Sequence, residues 1–400
     1  MQDLPNKSTR RLLEGAWLAY SMAATWISAL YCETIRPPRE GRAKVLIVKL
    51  DAIGDFFLWL DAAKELRNVF PEEKYSIVLL GNHLWVPLAE SLGYFDEVWA
   101  LDRTRFEADM RYRARLAKRI RAARFRVAVN PTYSRHFLFG DSIVRFSGAP
   151  ERIGSEGDCS NILPSLKRIG DRWHTRLIPA TKTPLMELER NAEFLRGLGL
   201  PDFRAGMPVW PVPAVLRPPP AELAGTGCYI LFPGAAIPIK QWPVERFAEV
   251  ARRLHRETGW TGVICGGPGE SELGERLLRL AGVPMKNLAG RTSLPELVSA
   301  IEGARLLVGN DTSGIHIAAS VSTPSVCILG GGHYGRFLPY RVEVETRRPL
   351  PATVAHRMEC YQCNWQCIYH PPAGDPAPCV KNISVDSAWG VIKDATGGRR

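Results

Sequence analysis

From residue 44 onward, short apolar runs alternate with stretches whose apolar positions recur every three or four residues. Residues 44–50 form a β-branched run read as a buried first strand. Residues 56–69 then carry helical periodicity that stops before Pro71. The same reading gives strands at 75–80, 97–101 and 126–129, and helices at 84–92 and 106–123. A second series follows: strands at 228–232, 261–265, 306–308 and 325–329, with helices at 244–257, 270–280, 294–301 and from 315. Strands alternating with helices predict parallel sheets covered on both faces. Between the two series stand Pro208, Pro211, Pro213, Pro218, Pro219 and Pro220, a stiff linker. The expected organisation is α/β with two Rossmann-like halves. An extension covers 1–43, a first domain 44–206, the linker 207–221, a second domain 222–345, and a cysteine-bearing segment 346–400.

A chain of 400 residues is long enough for two separate cores. Its net charge of +11, mostly from arginine, favours an anionic partner. Nine cysteines, an odd number, argue against a secreted disulfide framework and fit a reducing cytoplasm. Residues 15–31 are almost uncharged, hold Trp17, Tyr20, Trp26 and Tyr31, and lie between basic flanks. The stretch is short for a membrane span and lacks a clean cleavage site. It suits a helix at the membrane interface or one packed on protein.

Chemistry concentrates at strand-to-helix turns. Gly309-Asn-Asp-Thr-Ser-Gly-Ile-His-Ile-Ala-Ala319 places Asp311, Thr312, Ser313, Gly314 and His316 where a strand ends and a helix begins. Backbone N–H groups and the helix dipole converge there, which suits a phosphate. In open α/β sheets, ligands bind at that edge. Leu50-Asp-Ala-Ile-Gly-Asp55 is a similar turn after the first strand, with Gly54 read as allowing a tight turn. Asp55 is either a helix cap or a functional carboxylate, and Asp51 stands nearby. Leu231-Phe-Pro-Gly-Ala-Ala-Ile-Pro-Ile-Lys-Gln-Trp-Pro243 offers small Gly234 and Ala235 and the cation Lys240; Trp242 and Pro243 pack and start the next helix. Cys265-Gly-Gly-Pro-Gly-Glu270 and Asn287-Leu-Ala-Gly-Arg-Thr-Ser-Leu294 follow. No Gly-x-Gly-x-x-Gly follows the first strand, which disfavours a nicotinamide dehydrogenase.

Together these blocks resemble glycosyltransferase family 9, the bacterial ADP-heptose:lipopolysaccharide heptosyltransferases. The resemblance runs over about 44–379. It implies a GT-B fold, two Rossmann-like domains facing across a donor/acceptor cleft, and inverting transfer of a heptose from ADP-heptose to a lipopolysaccharide-type glycan. Asp55 would be the general base. Lys240, the Thr312 and Ser313 hydroxyls and His316, as donor or imidazolium, would stabilise the departing diphosphate. Asp311 would orient the loop, because two anions repel. Glu270 would meet the donor ribose and Thr292 the nucleobase region. His333 and Arg336, in Gly330-Gly-Gly-His-Tyr-Gly-Arg336, would line the cleft. Ala235 and Ala236 stand where many members carry hydroxyls. No cofactor is implied for catalysis.

Cys360, Cys363, Cys367 and Cys379 fall within twenty residues, a spacing that suits structural Zn or Fe, a disulfide pair or free thiols. Segment 103–126 holds ten Lys or Arg against Glu107 and Asp109. The implied partner is an anionic glycolipid at the inner face of the bacterial inner membrane, with peripheral membrane contact. Nucleic acid is disfavoured, since no binding motif is present. Alternative readings are a protein O-heptosyltransferase, a member using another nucleotide sugar, and an inactive nucleotide-sugar-binding scaffold.

Overall fold

The computed structural model describes residues 41–211 and 227–397. The apolar stretch 15–31 and most of the proline-rich linker lie outside the described residues. Contacts group the described chain into two compact units: 41–51 with 67–180, and 52–66 with the described part of 181–397. The helix Ile53–Lys64, which follows the first strand directly, therefore belongs to the second unit.

The first unit is built on β1 (Ala43–Lys49), β2 (Tyr75–Asn82), β3 (Glu97–Leu101), β4 (Val127–Asn130), β5 (Glu151–Ser155) and β6 (Arg176–Ile178). All pairings are parallel, in the order β3-β2-β1-β4-β5-β6. Val45 sits between Ile77 and Val127 in register. Leu46, Val48, Val78, Leu80, Ala128, Ile143 and Phe146 form the core on one face. The sequence reading stopped at β4; β5 and β6 are short and partly polar and gave no apolar run. The single helix expected over 106–123 is two, Arg103–Ala108 and Met110–Ala123. Asp109 divides them by accepting from the N–H groups of Arg111 (2.8 Å) and Tyr112 (3.0 Å). Nor do all ten cations of this segment reach the surface. Arg113 is fully buried and donates to the carbonyls of Phe106 (2.9 Å) and Glu107 (2.8 Å), tying the two helices together.

The second unit repeats the plan with β7 (Cys228–Phe232), β8 (Thr261–Ile264), β9 (Met285–Asn287), β10 (Leu306–Asn310), β11 (Ser325–Ile328) and β12 (Ala352–Val354). Its parallel order is β12-β11-β10-β7-β8-β9, the first sheet's order with β7 in the place of β1. In each sheet the chain reverses its direction of winding beside the first strand, between β1 and β4 and between β7 and β10. The carboxyl ends of strands at such a reversal form a ready-made ligand crevice. Under the second sheet, Phe247, Val250 and Leu254 of helix Val244–Thr258 pack with Trp389 and Ile392 of helix Val385–Gly397.

Candidate functional site

At the reversal of the second sheet, one buried amide organises the loop after β7. Asn310 closes β10, and its Nδ2 donates to the carbonyls of Pro233 (2.7 Å) and Gly234 (3.3 Å). Its Oδ1 accepts from the Trp242 backbone N–H at 3.0 Å. Trp242 is buried and donates from Nε1 to the Ile383 carbonyl at 2.9 Å, and Pro243 caps helix Val244–Thr258. The loop between these anchors carries Lys240 at the end of a short 3-10 turn, Pro238–Lys240. Its Nζ lies 3.0 Å from Asp311 Oδ2. Burial opposes ionisation of Asp311, but the Lys240 charge and hydrogen bond, together with His316 and His333, outweigh it and hold the carboxyl below its usual range. The pair is therefore ionic. The sequence reading missed Asn310, whose only signal is a polar residue closing an apolar strand.

Helix Ser313–Ser320 starts immediately beyond. Thr312 is its N-cap in extended backbone and makes no side-chain cap. Its Oγ1 is buried without a hydrogen-bond partner among the described residues. Leaving a buried hydroxyl unmatched costs about 1–3 kcal/mol, so a ligand oxygen there would be welcomed. Gly314 must stay small, since a Cβ would come within 2.8 Å of the Phe232 ring. His316 lies one turn on, 4% exposed, with Nδ1 2.9 Å from the Tyr340 hydroxyl and the two rings stacked at 11°. Burial pushes its pKa down to about 4, with Asp311 opposing and Lys240 assisting. Burial therefore favours the neutral imidazole in the ligand-free protein, one of the two forms the resemblance allowed.

Gly54 also needs a different explanation from the one the sequence suggested. It lies inside helix Ile53–Lys64, and a Cβ would come within 2.9 Å of His316 Cδ2. Close packing of two helices demands the glycine, with no tight turn involved. Asp55 is the third residue of that helix, beyond its N-cap Ala52, so it is not the cap. It is partly exposed one residue from the His316 contact. Phe56, Phe57 and Leu58 of this helix are buried, and Asn191 Nδ2 donates to the Leu58 carbonyl at 3.1 Å.

The remaining residues separate into those with structural work and those left open. Glu270 accepts the Gly267 N–H at 2.7 Å, and its carboxylate fills the space a Cβ would take at Gly234 or Gly266. Gly234 therefore seats Glu270, whatever else approaches it. Ala235 is buried, its carbonyl accepting from Gln241 Nε2 at 3.2 Å. Ser293 caps helix Leu294–Glu302 in a capping box with Glu296, which leaves Thr292 outside the cap. Arg336 lies 3.8 Å from Glu187, and its carbonyl accepts the Glu187 N–H at 2.7 Å, so it braces its own loop. Among the described residues, no three His, Cys, Asp or Glu side chains could hold a metal ion as placed.

The reversal of the first sheet carries a polar cavity of about 140 Å³ lined by Asp51, Arg103, Asn130, Thr132, His136 and Asn161, among others. Lys49, fully buried, lies 2.8 Å from Asp51, and the Thr132 hydroxyl donates to Asp51 at 2.7 Å. Burial again opposes ionisation, and Lys49, Thr132 and Arg103 together hold the Asp51 carboxyl below its usual range. Only Asp51 of this group was noticed in the sequence. The others are scattered from Lys49 to Asn161 and meet only through strand order.

Two parallel six-stranded units of one strand order match the GT-B fold. The solved structure of E. coli ADP-heptose lps heptosyltransferase II shares this fold, with a TM-score of 0.64 at 18% identity over 89% of this chain and 99% of that one. So does the iron-containing dodecameric glycosyltransferase TibC of enterotoxigenic E. coli H10407, with a TM-score of 0.53 at 13% identity over 91% and 79%. In sequence, lipopolysaccharide heptosyltransferase 2 of Escherichia coli K12 is 25% identical over 304 residues, 72% of this chain and 82% of its own. The model of glycosyltransferase family 9 (heptosyltransferase) matches residues 213–365. Over those residues the chain is similar to glycosyltransferase family 9.

Proposed function

We propose that this enzyme transfers a heptose from ADP-heptose to a lipopolysaccharide-type glycan in one inverting displacement. An acceptor hydroxyl oxygen attacks the anomeric carbon as the bond from that carbon to the diphosphate oxygen breaks. Asp55 takes the hydroxyl proton, and the electron pair of the broken bond leaves on ADP. Lys240 meets that charge, assisted by the Thr312 and Ser313 hydroxyls and a hydrogen bond from neutral His316. Glu270 and Thr292 are assigned to the nucleoside end. The observation that carries the reading is Lys240, held 3.0 Å from Asp311, beside the unmatched Thr312 hydroxyl at a helix start. The names of the relatives favour adenine and heptose. Calorimetric titration with ADP, UDP and GDP tests the donor site. Binding of ADP at least tenfold tighter than the other two is expected, and equal affinity for all three would remove the nucleotide from the assignment.

The acceptor is an anionic glycolipid at the inner face of the bacterial inner membrane. Arg105, Arg111, Arg115, Lys118 and Arg119 are exposed on the first unit and suit contact with that charged surface. Flotation with vesicles should recover the protein on anionic lipid at low salt and lose it on neutral lipid; equal recovery would refute the contact. Among the described residues no helix is long and apolar enough to cross a membrane.

Cys360, Cys363, Cys367 and Cys379 are proposed as ligands of a structural metal. Burial and the three neighbouring thiols push the Cys379 thiol up, and one structural neighbour is iron-containing. As placed they do not surround an ion, so loading requires side chains to turn inward. Elemental analysis should find near one equivalent of Zn or Fe, lost in Cys363→Ser; metal-free wild-type protein would end the proposal.

A further inference from the structure

The glycine-rich turn after β11 is a seat for the cysteine-bearing segment. A Cβ at Gly330 would come within 2.5 Å of the Trp365 ring, one at Gly332 would strike the same indole, and one at Gly331 would strike Tyr361. Backbone bonds fix the match: Gln362 N–H donates to the Gly331 carbonyl at 2.8 Å and Asn364 N–H to the Gly332 carbonyl at 3.0 Å. Cys379 Sγ accepts the Gly331 N–H at 3.3 Å, and His333 Nε2 lies 2.7 Å from Asn364 Oδ1. Gln362, Asn364 and Trp365 all hold positive φ, a backbone that side chains other than glycine seldom adopt. Such strain persists only where the surroundings over-determine the conformation.

What this seating achieves is visible at Lys240. Its Nζ lies 5.2 Å from the centroid of the Trp365 ring, while Asp311 holds the same ammonium at 3.0 Å. The Trp365 Nε1–H is buried and has no partner among the described residues. An aromatic face attracts an ammonium, most strongly when both are desolvated. A lysine stem left free loses rotamer freedom when it engages a ligand. Lys240 between an indole face and a carboxylate has lost that freedom in advance.

We propose that Trp365, carried by the cysteine-bearing segment, is a positioning residue for Lys240 in the nucleotide-diphosphate site, so that this segment forms one wall of that site. The proposal rests on the donor-site reading above. It also gives the segment a role in the reaction independent of any metal: displacing it withdraws the indole from Lys240. The ligand class concerned is the diphosphate of a nucleoside diphosphate, because Lys240 is the cation being aimed.

The test is a double-mutant cycle read by ADP calorimetry on the full-length chain. Trp365→Leu should weaken ADP binding roughly three- to tenfold, the worth of a partly desolvated cation–π contact. Trp365→Phe, which keeps a ring, should stay within about threefold of wild type. In a Lys240→Ala background, Trp365→Leu should change the remaining affinity less than about twofold, because the group it positions is gone. An equal loss in both backgrounds, or no loss in the wild-type background, overturns the proposal. Trp365→Met fills similar volume and takes the place of Trp365→Leu if that variant does not fold. Wild-type protein that binds no ADP would refute the donor-site reading itself, an outcome distinct from a cycle without coupling.

Discussion

Asp55→Asn should lower the rate of heptosyl transfer about a thousandfold while leaving ADP affinity within about twofold, the range expected when a general base is lost and binding is kept. The amide has the same shape and cannot take a proton. Asp55 stands in the first turn of helix Ile53–Lys64, an end where an acidic side chain complements the helix dipole. The helix is fixed by buried Phe56, Phe57 and Leu58 and by the glycine contact with His316, so the substitution leaves its frame intact. The competing carboxylate is Asp51. Its Oδ2 already meets Lys49 at 2.8 Å and Thr132 at 2.7 Å, and its proton affinity is depressed by those partners. A carboxylate so occupied is a poor base. Single-turnover kinetics alongside calorimetry separate the two quantities. A parallel fall in ADP affinity would make Asp55 a binding group.

Lys240→Ala should weaken ADP binding by about ten- to a hundredfold and slow transfer by at least as much, because the lost cation faces charge that grows as the diphosphate departs. Stability should fall too. Asp311 is 6% exposed, and without Lys240 its charge is left buried and unpaired. Breaking a buried pair from one side costs about 3–5 kcal/mol. Adding Asp311→Asn to Lys240→Ala should therefore recover much of the melting temperature and none of the ADP affinity. Recovery of both would mean that the lysine serves the fold alone. Thermal unfolding and calorimetry on the three proteins read the two effects separately.

The sequence revealed the strands that are fully buried and the turns that carry small and charged residues together. β1, β2, β7 and β10 are continuous apolar runs, and the turns that follow β1, β7 and β10 held Asp55, Lys240, Asp311 and Thr312. It was silent where polarity hides structure. β5, β9 and β12 are short edge-ward strands with exposed or polar positions. Asn310 and Tyr340 act through contacts that only the folded chain defines: Asn310 reaches a loop 77 positions away, and Tyr340 meets His316 across 24. Which of the two expected forms of His316 burial favours was illegible for the same reason, since burial is not written in a local motif. Gly54 and Gly234 were correctly noticed as small, yet what fills the space above them, His316 and Glu270, comes from other strand ends. Trp365 lay in a segment noticed only for its thiols, and its bearing on Lys240 depends on how the chain beyond β12 returns to the glycine turn.

The central claim is transfer of a heptose with Asp55 as base, and mass spectrometry of the acceptor measures it directly. Purified enzyme would be incubated with ADP-heptose and heptose-deficient lipopolysaccharide core, and the acceptor mass followed with time for wild type and Asp55→Asn. The expected result is a gain of one heptosyl residue with wild type, matched by released ADP, and almost none with the variant over the same interval. An unchanged acceptor with wild type that binds ADP, or equal transfer by Asp55→Asn, would contradict the account.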